Sequence, residues 1–474
     1  MPDPADKSKN PSPTNALAAL LAAAGWTGRG AGDVAFTGSD PVLASNFRLG
    51  CAGAVAVAAQ GMAADALWAL KTGRPQDIAV DLRAGAMAMR SNRHLDLKDG
   101  AVGPQWTNLS GLYPCGDKAG GGWVQLHCNY PWLRDPIIAI LNCDADKDAV
   151  ARALRDRTAA EFETAAEAEN LPVYRVRTPA EWQAHPQAPL IARQPPLTIT
   201  RIGDAPPEPL PDGPRPLSGV RAAELVRVLA GPVCGRTLAE HGADVLRISY
   251  AHRPDDIPLA MDTGHGKRSA DLDLRDPVKM AVLQDLIKQA DVVTQGHRPG
   301  TIAGRGLSPE DVAALRPGII YVSISAWGNQ GPWAHRRGFD SLLQCATGMA
   351  AEQGSAENPR HLPAQALDYV SGYVAAFGAM EALRRRATEG GSWLVETSLA
   401  QAGHWIDQLG RIDQPDARAL PDPTNADVAD LLEIHETAWG RLEHLKPALS
   451  LSETPPHWVL TAAPLGTHPP EWIS

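Results

Sequence analysis

The sequence lacks the paired cysteines that mark a zinc site, a redox motif or a disulfide framework. Its cysteines are scattered through 474 residues, with no CxxC and no histidine at metal-ligand spacing. The six are Cys51, Cys115, Cys128, Cys143, Cys234 and Cys345. Scattered thiols in a long chain are typical of reduced cysteines that pack as small hydrophobic side chains. We therefore expect no metal site and no disulfide.

Basic runs and a long apolar segment near the start are also missing. The net charge is −10, and no Lys/Arg stripe is interleaved with aromatic residues, which argues against a nucleic-acid partner. The apolar stretch ALAALLAAAG is too short to span a bilayer. It follows a polar, proline-rich start that has no cationic signal-peptide region. We expect a disordered tail at this end, no membrane partner and a cytoplasmic location.

Bulk composition favours a large globular protein. Hydrophobic residues make up 44% of the chain, enough to bury a sizeable core across more than one domain. The stretch IGDAPPEPLPDGPRPLSG (202–219) is so rich in proline that we expect an extended linker there. A second break, DQPDARALPDPTNAD (413–427), ends the following block.

Between these breaks, short apolar runs alternate with amphipathic stretches. VRAAELVRVL, ADVLRIS, ADVVTQG and GIIYVSIS are typical of strands, whereas GRTLAEHG, KMAVLQDLIKQ and DSLLQCATGMAAEQG are typical of helices. This alternation predicts an α/β fold with a doubly wound parallel sheet. The first strand-to-helix turn, VLAGPVCG, has no GxGxxG, so a nicotinamide enzyme is disfavoured.

The two halves of the chain contain a weak internal repeat. Residues 61–89 (GMAADALWALKTGRPQDIAVDLRAGAMAM) resemble residues 378–405 (GAMEALRRRATEGGSWLVETSLAQAGHW). Both predict an Ala-rich helix, a turn with glycine, a short strand and a second helix. Self-similarity of this kind indicates a duplicated unit, with chance likeness between Ala-rich helices as the alternative.

Six motifs from residue 217 onward carry a family resemblance. They are LSGVRAAELVRVLAGPVCGRTLAEHGADVLRIS, GKRSADLDL, ADVVTQGHRPG, YVSISAWGNQGPW, RRGFDSLLQCATGM and LDYVSGYVAAFGAMEAL. In this order they resemble the large domain of the family III CoA-transferases (the CaiB/BaiF type), over roughly Leu217 to Gln408. The resemblance implies that family's Rossmann-like fold with a smaller α+β domain.

The small domain of the family resembles sequence on the N-terminal side, LSGLYPCGDKAGGGWVQLHC and RDRTAAEFETAAEAENLPVYRVRTPAEW, so the usual order is rearranged. The segment SLSETPPHWVLTAAPLGTHPPEW resembles the family's closing segment. The domains predicted are a tail and helix (1–34), a partial large-domain copy without a nucleophile (35–94), a small domain (95–201), the proline-rich linker (202–219), the large CoA-binding catalytic domain (220–412), and a linker with the closing segment (413–474).

The resemblance places a catalytic aspartate at Asp368, in AQALDYVSG. A carboxylate can split acyl exchange into easier covalent steps, and a following helix N-terminus would stabilise its charge. An aspartate in this place is otherwise a structural N-cap. The equivalent stretch of the N-terminal copy, FRLGCAGAVAV, has Cys51 and Ala52 and no carboxylate, so one nucleophile per chain is expected.

CoA-binding residues are implied in the same way. The resemblance implies that CoA esters are substrates, that no cofactor is tightly bound, and that basic side chains contact the phosphates. The residues implied are Val228, Leu229 and Ala230 around adenosine, Lys267, Arg268, Arg298, Arg337 and Arg253 at the phosphates, and His297 where the family has an aromatic ring. For each arginine, a solvated surface charge is the alternative. Gly296 replaces the family's asparagine.

Three further expectations follow from the resemblance. Gly120, Gly121 and Gly122 of GDKAGGGW match a loop that closes over the active aspartate in some members, with a plain hairpin turn as the alternative. An acyl-CoA and a free carboxylic acid are the expected partners, in an interlocked homodimer. The same fold hosts α-methylacyl-CoA racemases, which carry histidine where this chain has Phe339, so racemase is a second hypothesis and an inert CoA-binding subunit a third.

Overall fold

The structure, a computed structural model, describes residues 10–116, 121–253 and 256–473, so the predicted tail before residue 10 lies outside it. Its α-helices are α1 (Pro13–Ala23), α2 (Leu49–Thr72), α3 (Leu82–Ala88), α4 (Pro131–Leu141), α5 (Lys147–Arg155), α6 (Ala159–Ala168), α7 (Pro179–Gln183), α8 (Ala188–Ala192), α9 (Ala230–Glu240), α10 (Ile257–Thr263), α11 (Pro277–Ile287), α12 (Pro309–Leu315), α13 (Asp340–Ala346), α14 (Met349–Gln353), α15 (Ala366–Glu389) and α16 (Leu399–Gln408). Its strands are β1 (Val34–Thr37), β2 (Ile78–Asp81), β3 (Asp96–Leu97), β4 (Gly111–Pro114), β5 (Trp123–Leu126), β6 (Val173–Arg175), β7 (Leu197–Gly203), β8 (Arg221–Leu225), β9 (Asp244–Ser249), β10 (Lys267–Asp271), β11 (Val292–Gln295), β12 (Ile320–Ser325), β13 (Ser392–Ser398), β14 (Leu432–Thr437), β15 (Gly440–Leu445) and β16 (Leu449–Leu451).

A seven-stranded sheet organises the C-terminal half, in the order β10-β9-β8-β11-β12-β13-β7. All neighbours are parallel except β7, which runs antiparallel to β13. The chain builds outward from β8 to β10 and then returns to β11 on the other side, where Val292 pairs with Ala222. The predicted doubly wound parallel sheet is confirmed. Ligands in such sheets bind outside the carboxyl ends of the strands where the order reverses, here between β8 and β11.

Helix α15 forms the centre of the molecule, because it packs against α2, α9 and β13. Nearly its whole length is buried. Close approach to α9 depends on Gly372, where an added Cβ would lie 2.6 Å from the Ala230 carbonyl oxygen and from Val233. A side chain at this position would therefore separate the helix that carries Asp368 from the one at the first strand-to-helix turn.

The internal repeat is also present in the fold. Helix α2, strand β2 and helix α3 repeat the order of α15, β13 and α16, and both long helices have 24 residues. Strand β2 lies between parallel β1 and antiparallel β16, as β13 lies between parallel β12 and antiparallel β7. The predicted helix–turn–strand–helix pattern in both segments is confirmed, together with matching strand partners.

The small domain is built on an antiparallel sheet, β4-β5-β6, covered by α4, α5 and α6. Its core includes Leu126, Ile137 and Phe162. The boundary predicted at residue 201 differs from the structure, because β7 crosses it and pairs with β13 of the large sheet. In this strand Leu197 is buried, and Ile199 and Ile202 are partly buried against the cores on the two sides of the sheet.

The closing segment returns to both halves of the molecule. Strands β14 and β15 form a sheet with β3, while β16 joins β2. Trp458 donates its indole N–H to the carbonyl oxygen of Arg236 in α9, at 3.1 Å.

One helix of the described ranges, α2, is long and apolar enough to cross a membrane. Within the protein, 83% of its most apolar window is buried. Its neighbours are α15, α3 and α1. This burial is what a core helix shows.

Candidate functional site

Asp368 is the third residue of α15 and is only 8% exposed. The helix begins after Gln365, whose backbone is not helical, so Asp368 lies in the first turn, where backbone N–H groups have no partner within the helix. An anion in this place is stabilised by the helix dipole. The sequence-based placement of this carboxylate at a helix N-terminus agrees with the observed geometry.

A second carboxylate, Asp340, supports the same turn. It is the first residue of α13, and its Oδ2 accepts hydrogen bonds from the backbone N–H groups of Leu367 (2.8 Å) and Asp368 (3.2 Å). The side-chain amide of Gln344 donates to its other oxygen. Asp340 therefore satisfies two N–H groups of α15 as a capping residue would, although it comes from another helix.

The two carboxylates share one low-dielectric site, so their titrations are linked. Burial raises the pKa of Asp368 well above its ordinary value, and the negative charge of Asp340 raises it further. Burial also raises the pKa of Asp340, but the N–H groups of Asp368 and Leu367 oppose that rise. Because its donors favour the charged form, Asp340 retains the charge and Asp368 holds the proton at rest.

Asp368 opens onto a small cavity at the carboxyl end of β8. Its walls come from both halves of the chain: Asn92, Gln105, Trp106, His127, Asn129, Val228, Leu229, Asp256, Leu259, Phe339, Asp340, Ser341 and Gln365 line it with Asp368. Val228 has φ +65°, a left-handed conformation that costs a branched residue about 1–3 kcal/mol and clusters at functional sites. The predicted residues Val228 and Leu229 are thus brought to Asp368, and Ala230 begins α9 beside them.

His127 is a cavity residue that the sequence analysis does not predict. It follows β5 directly, is 5% exposed, and stacks on Phe339 with ring centroids 3.7 Å apart. Neither ring nitrogen has a hydrogen-bond partner among the described residues. Burial lowers the pKa of His127 to about 3, so the imidazole is neutral and has one N–H to donate. The sequence feature that could have identified His127 is its position directly after the apolar strand in VQLHC.

Three of the predicted phosphate-binding arginines lie together. Arg253, Arg298 and Arg337 are close enough that burial and the charges of Arg298 and Arg253 lower the pKa of Arg337. Arg337 donates to the carbonyl oxygen of Asn170 at 3.0 Å, and Arg298 to that of His335 at 3.3 Å. No carboxylate pairs with these three among the described residues' ion pairs, so the cluster retains its positive charge for an anion.

An aromatic pair borders this cluster. The rings of Tyr130 and Trp132 stack with centroids 4.9 Å apart. The Arg253 guanidinium lies 5.4 Å from the Trp132 ring, and Arg227 lies about as close to both rings. Arg227 directly precedes the Val228 turn, so it belongs to the same edge of the sheet; the sequence analysis does not single it out. Cations over ring faces form a surface suited to a planar base and a phosphate.

Lys267 and Arg268 lie elsewhere and are already paired. The Lys267 ammonium is buried and donates to Glu224 (2.7 Å) and to the carbonyl oxygen of Pro232 (2.6 Å). Arg268 makes two hydrogen bonds to Asp244, at 2.8 and 2.9 Å. Burial lowers the pKa of Lys267 to about 8 in spite of Glu224. The structure assigns both side chains to interior ion pairs between strands, which a phosphate could contact only after the pairs broke.

His297 and the glycine segment complete the predicted set. His297 follows β11, and burial together with the charges of Arg227 and Arg305 lowers its pKa, so it is a neutral ring near the arginines. Gly120 lies outside the described residues. Gly121 and Gly122 contact Cys115 and Ala159 of the small domain, and a Cβ on Gly121 would lie 1.8 Å from the Cys115 carbonyl oxygen. In this structure the two glycines belong to the β4–β5 hairpin turn.

The N-terminal copy reproduces the scaffold of the site without its nucleophile. Cys51 is the third residue of α2, as Asp368 is of α15. Asp40 accepts from the N–H groups of Gly50 (2.8 Å) and Cys51 (2.9 Å), as Asp340 does in the other copy. Burial raises the pKa of the Cys51 thiol to about 12. A fully buried, protonated thiol is inert.

Residues 217–442 match the sequence model of CoA-transferase family III, and this range contains α15, Asp340 and the arginine cluster. Over this range, just under half of the chain, the protein is similar to CoA-transferase family III. Small-domain residues that complete the cavity, His127 among them, lie outside the matched range. The fold and the family are thus those that the sequence motifs predict.

Relatives of known name agree with the family. The chain is similar to the acetyl-coenzyme A transferase nodX of Hypoxylon pulicicidum (34% identity over 40% of this chain and 34% of that protein). It is similar to an acyl-CoA transferase of Gibberella moniliformis (30%, covering 61% and 54%) and to the succinyl-CoA–D-citramalate CoA-transferase of Chloroflexus aurantiacus (32%, covering 39% and 50%). The chain therefore spans between a third and just over half of the length of these relatives.

Proposed function

We propose that the protein is a CoA-transferase that moves CoA from an acyl-CoA donor to a free carboxylic acid through a thioester on Asp368. One observation carries the proposal: a buried carboxylate in the first turn of α15 faces a cavity shared with the Val228 turn. That turn lies where the order of the parallel sheet reverses, next to an arginine cluster. The site thus combines a nucleophile with positive charge for a polyanionic substrate.

The covalent steps follow from the carboxylate. Asp368 attacks the thioester carbonyl, CoA leaves as a thiolate, and a mixed anhydride forms. The thiolate then attacks the aspartyl carbonyl, which releases the first acid and gives an aspartyl-CoA thioester. The second acid attacks this thioester, again as a carboxylate, and forms a new anhydride with release of thiolate. Attack of the thiolate on the acyl carbonyl yields the new acyl-CoA and frees Asp368.

Surrounding groups support these steps by binding and by placing hydrogen-bond donors. Asp340 fixes the turn that carries Asp368 through the backbone of Leu367. The neutral His127 has an N–H that can donate to a carbonyl oxygen in the cavity as negative charge develops there. The arginine cluster fits the phosphates, and the Tyr130–Trp132 pair with His297 fits the adenine. Lys267 and Arg268 have no direct part in this proposal.

The raised pKa of Asp368 predicts a pH dependence. Only the carboxylate attacks, and a raised pKa keeps the acid form present to higher pH, so kcat/KM for acyl-CoA should rise with pH and then level off. In Asp340→Asn one negative charge is gone, the pKa of Asp368 falls, and the rise should move to lower pH. Profiles of both proteins check this. A flat profile, or one that Asp340→Asn leaves in place, would rule out Asp368 as the titrating group.

Arg337→Ala should weaken binding of the CoA ester by roughly 1.5–3 kcal/mol, about one to two powers of ten, because a charge-assisted contact is lost. Calorimetry with a non-transferable CoA thioester measures this directly. Arg155→Ala, an exposed arginine of α5, is the matched control and should bind as the wild type does. Equal affinity in Arg337→Ala and the control would place Arg337 among ordinary surface charges.

A racemase is the second candidate, because the cavity does contain an imidazole: His127 stacks on Phe339, the residue that replaces the racemase histidine. Its pKa of about 3 makes it a poor acceptor of an α-proton near neutral pH, since a base should have a pKa close to the working pH. Incubation of a branched acyl-CoA in D₂O tests this. Deuterium at the α-carbon would support the racemase.

The two acids between which CoA moves are to be identified by experiment. The relatives include a succinyl-CoA–D-citramalate CoA-transferase and an acetyl-coenzyme A transferase, so a panel should begin with succinyl-CoA and acetyl-CoA. Each is combined with free mono- and dicarboxylic acids, and the products are read by chromatography. A new acyl-CoA in any combination supports transfer. Hydrolysis alone, without transfer to any acid, would count against it. The homodimer and the cytoplasmic location stay predictions.

A further inference from the structure

A cluster of three histidines lies apart from the cavity, at a place where distant segments meet. His265 belongs to the turn between α10 and β10, His435 to β14 and His444 to β15. One ring nitrogen of each lies within 4.8 Å of those of the other two. The His265 and His444 ring centroids are 3.9 Å apart. The separation of His265 from the other two in the sequence explains why no metal-ligand spacing was visible there.

His444 is oriented as a metal ligand. Its Nδ1 lies 3.0 Å from the carbonyl oxygen of Leu445, which fixes the proton on Nδ1 and leaves the lone pair of Nε2 directed at His435. Metal-bound histidines almost always donate their other ring N–H in this way. The Nε2 atom accepts a hydrogen bond from Nδ1 of His435 at 3.1 Å, and a bound ion would take the place of that proton. Tetrahedral zinc with Zn–N bonds of about 2.0–2.1 Å requires nitrogens about 3.3 Å apart, close to this distance.

His265 supplies the second, independent observation. It is 1% exposed, and neither of its ring nitrogens has a hydrogen-bond partner among the described residues. Buried polar groups are nearly always paired, so an orphaned imidazole that faces two other imidazoles requires an explanation. A bound cation would satisfy its nitrogen. Packing of aromatic rings is the alternative explanation, since the ring centroids of Trp458 and His265 are 5.2 Å apart.

Glu433 places a carboxylate, a candidate fourth ligand, beside the three histidines. Its carboxylate oxygens lie 4.0 Å from Nε2 of His435 and 4.0 Å from Nε2 of His444. Three imidazoles with a nearby carboxylate form a donor set for zinc, copper or nickel, whereas calcium and magnesium prefer oxygen ligands alone.

We propose that His265, His435 and His444 bind one transition-metal ion of the zinc class, with Glu433 or water in the fourth position. Such an ion would join the β14–β15 hairpin to the turn after α10. Just before that turn, in α10, Asp262 pairs with Arg236 at 2.7 Å. Asp262 also accepts a hydrogen bond at 2.9 Å from Tyr369, the residue after Asp368. The proposed role is to hold the closing segment on the large domain, and it is independent of the proposed CoA transfer.

The test uses the untagged full chain, stripped with a chelator and titrated with ZnCl₂ by calorimetry. One equivalent should bind, metal analysis after gel filtration should find it retained, and Co²⁺ in its place should give the visible absorption of a tetrahedral nitrogen site. His435→Gln should bind more than about 100-fold more weakly, since loss of an outer-shell partner alone costs about 10–100-fold. His435 is partly exposed, so this variant should fold, which circular dichroism checks.

His457→Gln, an exposed histidine of the closing segment outside the cluster, is the matched control and should bind zinc as the wild type does. His265→Gln should lose binding as His435→Gln does. The proposal is overturned if the stripped wild type takes up no zinc, or if His435→Gln and His457→Gln bind equally. The first outcome would mean that the three rings form a packing cluster only. Because the readout is metal binding, neither result depends on whether the protein transfers CoA.

Discussion

Asp368→Asn should reduce CoA transfer to below about one per cent of the wild-type rate, because loss of a nucleophile costs several powers of ten. Binding of the CoA ester should be nearly unchanged, since the two side chains are almost isosteric. Thermal stability should not fall, because the substitution removes a buried acid that lies beside the charge of Asp340. Steady-state transfer, calorimetry and a melting curve measure the three quantities.

Two controls make this result specific. Asp285→Asn changes an exposed aspartate of α11 in the same way and should transfer CoA at the wild-type rate. Intact mass of Asp368→Asn excludes conversion of the asparagine back to aspartate. Residual transfer above about one per cent in a protein of confirmed mass would mean that another group is the nucleophile.

A chain that begins at Pro216 should give no soluble, active protein. It would lack α2, whose removal exposes the face of α15 that it covers, and it would lack β7, which pairs with β13. It would also lack Ser91 and Asn92, which hydrogen-bond to Tyr369 at 3.0 and 3.2 Å. Several large apolar surfaces would be exposed together, and each contributes about 25 cal/mol per Å² to stability. Size-exclusion chromatography and circular dichroism measure the outcome.

The matched control is a chain that begins at Asn10, which retains every described contact and should fold and transfer CoA normally. Gln105, His127 and Asn129 line the Asp368 cavity and precede Pro216, so activity depends on the N-terminal half even if the shorter chain stays folded. Normal transfer by the chain from Pro216 would show that the small domain is no part of the working site.

Periodicity and apolar runs predict most of the parallel sheet, because β8, β9, β11 and β12 are short, largely apolar runs separated by helices. Strand β10, with the polar sequence KRSAD, is not assigned. Strand β7 is not assigned, since it precedes a proline-rich stretch and pairs with β13 far along the chain. No local sequence pattern predicts a strand partner that is so distant in the chain. The duplicated helix–strand–helix unit is visible in the sequence because its Ala-rich helices must pack closely in both copies.

The sequence predicts only those site residues that lie in a recognisable local motif. Asp368 is identified by its motif, and its place at a helix N-terminus follows from the local sequence. His127 and Asp340 reach the cavity from other domains and helices, which spacing cannot show. Lys267 is assigned to phosphate from its motif, but its partner Glu224 lies on another strand, two positions away in the sheet. Burial and pairing of charges are properties of the tertiary fold.

The most direct test of the central claim is to trap the covalent intermediate. A thioester is reduced by borohydride and a carboxylate is not, so incubation with acyl-CoA followed by borohydride should convert Asp368 to homoserine, found in one peptide by mass spectrometry. Without acyl-CoA, and in Asp368→Asn, the peptide should be unmodified. Transfer that proceeds with Asp368 left unmodified, or with modification at Cys51 instead, would contradict the account.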